Sequence, residues 1–147
     1  MTHLKLIATL FVPFLMFAVL SVLPVQAEQP AHHQEHFAKC AKACADCQVM
    51  CDSCFHHCAG LVAMGKKEHA KTMHSCTDCA EFCSLAGKLS ARQSTYAGPA
   101  CESCAKVCDD CAAACEKHKD DKHMTDCAKS CRDCAKACRT MIEHLKH

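Results

Sequence analysis

The stretch Cys40–Cys58, C-AKA-C-AD-C-QVM-C-DS-C-FHH-C, constrains the fold more than any other part of the chain. Its six cysteines advance by 4, 3, 4, 3 and 4 residues. An α-helix turns once every ~3.6 residues, so this rhythm sets all six sulfurs on one stripe of one helix. A heptad seam normally carries Leu or Ile at such positions. A helix that buries thiols in their place presents a metal-binding surface.

The rhythm recurs three times. A second stripe reads His69, Met73, Cys76, Cys79, Cys83, then the small residues Ala86 and Gly87. A third reads Cys101, Cys104, Cys108, Cys111 and Cys115, and a fourth runs through Met124, Cys127, Cys131, Cys134, Cys138, Met141 and Leu145. Helices are expected over about 34–59, 66–88 and 99–117, and from an Asp121 N-cap onward. Gly60 and Gly65 bracket the first turn, 90–98 forms the longest loop, Pro99 suits a first helical turn, and 119–121 makes the last connection. Short turns after the first and third helices make antiparallel neighbours. The expected fold is therefore all-α, an antiparallel up-down-up-down four-helix bundle with a cysteine-lined core. Lys42, Asp46, Lys106, Asp109, Lys129, Asp133 and Lys136 fall on the opposite faces and read as solvated surface.

Composition explains why cysteine must fill the core. Residues 28–147 contain only eleven Leu, Ile, Val and Phe side chains but all eighteen cysteines. Eleven in that stretch is about 9 %, well under the ~20 % at which an ordinary core becomes doubtful. A thiol packs as a small hydrophobe and can make up the deficit. The 147 residues suffice for one small domain, here 28–147. Residues 1–27 read as a cleaved signal peptide: one lysine, an apolar run over 6–23, and the small-residue site Val25-Gln26-Ala27. The alternative is a retained membrane anchor. No twin-arginine pair precedes the apolar run, so the general secretory route is expected, with an exported location in the periplasm or cell envelope and no stable membrane association once the signal is removed. Cleavage leaves equal numbers of basic and acidic side chains, and with Tyr96 the only tyrosine and no tryptophan, the pattern excludes nucleic-acid binding.

Eighteen cysteines in an exported chain also admit a disulfide framework. Such scaffolds are loop-rich, however, whereas 28–147 has four glycines, two prolines and helical spacing almost throughout. Eight i,i+4 pairs are present: Cys40/Cys44, Cys47/Cys51, Cys54/Cys58, Cys79/Cys83, Cys104/Cys108, Cys111/Cys115, Cys127/Cys131 and Cys134/Cys138. Cys76 and Cys101 are left over. Cβ atoms at that spacing lie ~5–6 Å apart, and modest side-chain rotation lets one ion sit between the two sulfurs. Soft thiolate sites suit Cu(I), Zn(II) or iron–sulfur clusters. Zinc prefers segregated tetrahedral knuckles and iron–sulfur clusters prefer loops, so continuous rows fit Cu(I), with a zinc-binding or metallothionein-like buffer as the alternative. No single cysteine is set apart by a His/Asp constellation, so an enzyme is not expected.

His and Met are unevenly placed. In an up-down bundle His56, His57, Met64, His69, Met73, His118, His123 and Met124 share one pole. Met73 and Met124 continue the cysteine stripes and, with His118 and His123, make a candidate mouth of weaker ligands. His32, His33, His36, His144 and His147 belong to the opposite pole and read as surface.

Helical rows of CxxxC repeated over four helices resemble the bacterial copper storage proteins, over essentially all of 34–145. The resemblance implies a bundle that stores many Cu(I) ions largely through CxxxC pairs, and assembly as a homotetramer. It names no copper donor or acceptor. The chain departs from that pattern in lacking the twin-arginine signal and in carrying only three cysteines on its second helix.

Overall fold

The computed structural model describes residues 31–146. The expected signal segment 1–27 lies outside them, as do His147 and the side chains of His32 and His33. The described chain forms α1 (Ala31–Ala63), α2 (Ala70–Ala91), α3 (Ala97–Cys115) and α4 (Lys122–His144), with one 3-10 turn, Lys67–His69, ahead of α2. No strand occurs among the described residues, and no helix among them is long and apolar enough to cross a membrane.

The helix ends follow from local chemistry. α1 runs four residues past the expected stop because Gly60 faces open space and an exposed glycine weakens a helix by about 1 kcal/mol without breaking it. The stop comes at Gly65, whose φ of 89° places it in the left-handed region where only glycine is unstrained. Gly65 N–H donates to the Val62 carbonyl at 2.9 Å and Lys66 N–H to the Leu61 carbonyl at 3.0 Å, the paired bonds of a Schellman terminus. α2 ends in the same way on Gln93, with Gln93 N–H to the Ser90 carbonyl at 2.9 Å and Ser94 N–H to the Leu89 carbonyl at 3.0 Å. Ser90 therefore belongs to the helix and not to the expected loop. Pro99 falls in the first turn of α3, where its missing N–H costs nothing. Asp121 caps α4 as expected, its side chain accepting from the His123 and Met124 N–H groups at 2.9 and 3.3 Å.

Contacts between helices set the topology. Cys40 near the start of α1 meets Cys138 near the end of α4, while Cys54 further along α1 meets Met124 at the start of α4. Cys83 late in α2 meets Cys104 early in α3, and Cys76 early in α2 meets Cys111 late in α3. Each pair of neighbours thus runs antiparallel around the ring α1–α2–α3–α4, with the closest packing along α1·α2, α3·α4, α1·α4 and α2·α3. Small side chains make this possible. A Cβ on Gly87 would stand 3.2 Å from Cys44 Cβ, so α1 and α2 approach closely there because Gly87 has none. Ala80, Ala86, Ala105, Ala112, Ala128 and Ala135 are buried beside the cysteines. Larger core side chains are confined to the poles: Phe37, Leu89 and Met141 at one, Leu61 and Met124 at the other. Leu145 closes the fourth stripe half-exposed, against Gly98.

The outer faces carry the charges, as expected. Lys42 pairs with Asp46 and Lys129 with Asp133, each at 2.6 Å, and Arg132 joins α4 to α3 through Asp109 at 2.8 Å and Glu116 at 3.0 Å. Exposed pairs of this kind add little stability.

The cap makes the clearest local prediction. Asp121→Ala should lower the stability of the apo protein by about 1–2 kcal/mol, read as a lower urea midpoint at unchanged m-value; an unchanged midpoint would remove the cap from the account.

Candidate metal centre

Every cysteine of the four stripes points inward. All eighteen are free thiols, and each has no solvent exposure. The i,i+4 pairs come together as the spacing requires: Cys47/Cys51, Cys79/Cys83 and Cys104/Cys108 stand 3.9, 4.0 and 3.8 Å apart, sulfur to sulfur. The cross-helix approaches are as close or closer. Cys51 lies 3.6 Å from Cys131, Cys79 and Cys83 each 3.6 Å from Cys108, and Cys44 3.7 Å from both Cys134 and Cys138. The two cysteines without an i,i+4 partner find theirs across the bundle, Cys76 with Cys111 at 3.8 Å and Cys101 with Cys40 at 3.5 Å.

Spacing along one helix did not reveal this grouping by fours. Cys47, Cys83, Cys108 and Cys134, one from each helix, have sulfurs within 4.8 Å of one another, as do Cys54, Cys76, Cys115 and Cys127. The sets Cys44/Cys104/Cys134/Cys138, Cys47/Cys51/Cys79/Cys131 and Cys51/Cys111/Cys127/Cys131 satisfy the same limit. These quartets overlap: Cys47, Cys51, Cys127, Cys131 and Cys134 each belong to two of them. A sulfur shared by two quartets is a bridging ligand in waiting.

Burial opposes ionisation at each shifted thiol, while contacts between thiols lower some, such as Cys47 and Cys127, and raise others. Burial, then the neighbouring Cys54, pushes the Cys58 thiol up to about 12. Contacts with Cys111 and the thiols around it, together with burial, also drive Cys51 upward. Thiolates in this core need a positive partner.

The histidine pole is more ordered than a surface reading implies. His57 stacks on His123 with ring centroids 4.7 Å apart, and His69 on His118 at 4.1 Å. His57 Nε2 lies 2.7 Å from Asp121 Oδ2, which ties the end of α1 to the cap of α4. His123 Nε2 is 3.5 Å from Ser53 Oγ. Thr72, buried in α2, reaches the Ala114 carbonyl at 3.4 Å and His118 Nε2 at 3.1 Å. Burial, and then His118, hold the His69 imidazole below its ordinary pKa, and its buried Nδ1 has no hydrogen-bond partner. Met124 Sδ stands 3.5 Å from Cys54 Sγ and 3.9 Å from Cys58 Sγ, directly continuing the sulfur column. Met73 packs half-buried against the same core, whereas Met64 and His56 face solvent. At the opposite pole His36 stacks on His144 at 3.4 Å. Sequence reasoning missed Ser90 and Thr72 as core residues, whereas Met141 is buried as its place on the fourth stripe requires. For Ser90 a signal existed, since 76, 79, 83, 86 and 90 keep the 3, 4 rhythm of the stripe.

The comparisons agree with this geometry. The family model described as "Csp: Copper storage protein" matches residues 29–143, and the chain belongs to that family. A Bacillus subtilis protein described as an uncharacterized cysteine-rich protein, YhjQ, is 32 % identical over 97 residues, 60 % of this chain and 80 % of that one. The apo structure of copper storage protein 3 from Bacillus subtilis is 34 % identical with a TM-score of 0.63, covering 71 % of this chain and 96 % of that one. A Cu(I)-bound copper storage protein matches with the same TM-score at 33 % identity, covering 70 % and 94 %. A cytosolic copper storage protein from Streptomyces lividans, solved with five coppers, gives a TM-score of 0.71 at 25 % identity over 78 % and 98 %. That last relative corrects one expectation. It is described as cytosolic, so the exported, periplasmic or envelope location read from the first residues does not stand; the apolar run that suggested it lies outside the described residues.

Burial predicts how the thiols react. In the folded, metal-free protein under anaerobic conditions the eighteen cysteines should react with a thiol reagent only as fast as the bundle opens, and all eighteen should react at once in denaturant. A rapid native phase accounting for most of them would contradict the sealed core.

Proposed function

We propose that the chain is a non-enzymatic store that takes up many Cu(I) ions as cargo inside the bundle. One observation carries this reading: eighteen buried free thiols, fifteen of them grouped in the overlapping quartets above. Cu(I) accepts two or three soft ligands and tolerates bridging sulfurs, so shared quartets suit a chain of ions better than a set of separate sites.

Charge selects the metal and the loading. Each Cu(I) that displaces one thiol proton leaves the core neutral. A Zn(II) on four thiolates leaves a net charge of −2, and sulfurs shared between adjacent quartets compound the problem in a low-dielectric interior. Neutrality is reached only near one Cu(I) per ionised thiol, which argues for high capacity. The two quartets that draw one cysteine from each helix do favour zinc as a second reading, since a closed tetrahedral set is what a structural zinc site requires.

All eighteen cysteines are assigned as ligands in this proposal. Met73, Met124, His118 and His123 form the mouth, joined by His69, the head of the second stripe, whose unpartnered buried nitrogen adds an imidazole donor. Residues 28–147 act as one unit. The homotetramer implied by the resemblance fits the exposed apolar side chains Val49, Phe55, Phe82 and Leu85, and light scattering on the purified protein checks it.

Titration of the reduced protein with Cu(I) against a competing chelator should show uptake of on the order of ten or more ions, each releasing about one proton. Because a thiol such as Cys58 is protonated at neutral pH, copper must displace that proton, and apparent affinity should rise with pH up to the thiol pKa range. Uptake of one or two ions, or tight zinc binding that copper does not displace, would overturn the proposal.

A further inference from the structure

Ser90 stands where α2 would carry a fourth core cysteine. It has no solvent exposure. Its hydroxyl donates to Cys40 Sγ at 3.7 Å and lies 3.5 Å from Cys101 Sγ, where either atom can be the donor. Cys40 and Cys101 are themselves 3.5 Å apart, and Cys138 is 3.8 Å from Cys40. Two thiols, from α1 and α3, thus contact a hydroxyl from α2, with Cys138 of α4 beside Cys40, at the pole away from Met124. Phe37, Leu89, Ala97 and Met141 are buried there, at the pole where His36 stacks on His144.

From this arrangement we infer a distinct terminal Cu(I) site formed by Cys40, Cys101 and Cys138, with Ser90 as a positioning residue that donates a hydrogen bond to the bound thiolates. The inference rests on the copper-storage reading above. An alcohol oxygen is a poor ligand for a soft monovalent ion, so Ser90 does not complete the coordination. It limits the ion to three sulfurs, whereas the interior quartets offer four. When Cu(I) binds, the thiol protons leave, the sulfurs become acceptors only, and the hydroxyl loses its alternative role as acceptor from Cys101. The single Ser90 proton then makes a charge-assisted bond to a buried thiolate, stronger than the thiol contact of the metal-free state. Ser90 thereby acts chiefly on this one ion, since it contacts Cys40 and Cys101 and only Cys138 is shared with a quartet described above. A serine retained on that stripe, in contact with two sulfurs, is otherwise a buried polar group with no task.

The test compares the full chain, reduced and anaerobic, with Ser90→Ala, Ser90→Cys and Cys40→Ala in Cu(I) titrations against a graded series of chelators. The apo melting temperature of each variant confirms folding. Ser90→Ala should weaken one binding step by about tenfold or more, the loss of one hydrogen bond to a charged group, while the remaining steps superimpose on the parent. Cys40→Ala should abolish that same step, and adding Ser90→Ala to it should then have no further effect, as expected for coupled neighbours. Ser90→Cys should strengthen the step by supplying a fourth sulfur. Titrations of Ser90→Ala and Ser90→Cys that superimpose on the parent, or a loss spread evenly over every ion, would overturn the terminal site while leaving the store intact. A parent protein that takes up only one or two ions would instead bring down the storage reading itself.

Discussion

Close approach of four helices over small side chains is the constraint on which everything else depends. Cysteine and alanine occupy nearly every inward position, so the backbones pack tightly enough to bring sulfurs from different helices to 3.5–3.9 Å. Gly87 marks the limit, where even one methyl would press on Cys44. A Leu or Ile seam would hold the helices further apart and place no ligand inside. The same choice of residue that shrinks the core therefore also fills it with donors.

That choice limits the stability of the metal-free protein. A thiol buries less apolar area than Leu, and the aliphatic anchors are few and stand at the poles: Phe37, Leu61 and Leu89, with Met124 and Met141. The helix ends are correspondingly well built, with two Schellman termini and an aspartate cap that also binds His57. Cargo then belongs to the energetics of the fold. In the proposed store each ion would exchange a buried thiol proton for bonds to sulfur, so binding free energy would become folding free energy. Neutrality explains how so many ions can share one dry interior, because monovalent copper replaces protons one for one.

Much of this was legible in the residues. The 3, 4 rhythm identified the buried face of every helix, and Asp121 was recognisable as a cap. What periodicity could not supply was register between helices. The i,i+4 pairs Cys47/Cys51, Cys79/Cys83 and Cys104/Cys108 do close up, yet the quartets mix Cys47 with Cys83, Cys108 and Cys134, a grouping fixed by how α1 slides against its neighbours. Gly60 misled because glycine punctuates only where the backbone needs positive φ, and that need arises at Gly65. Ser90 was hidden by its polarity: a serine followed by a turn-rich stretch reads as loop until the stripe is extended one step. His69 heads the second stripe and is buried as that place requires, whereas Thr72 owes its burial to the packing of α2 against Ala114 and His118, which no local pattern records.

The most direct measurement is copper K-edge X-ray absorption on the fully loaded, reduced protein. The account predicts a first shell dominated by sulfur at roughly 2.3 Å, with a minor nitrogen contribution from the mouth and copper–copper scattering from neighbouring ions that share thiolates. A shell dominated by nitrogen or oxygen, or sulfur without any copper neighbour, would show that the ions do not lie in the cysteine core and would contradict it.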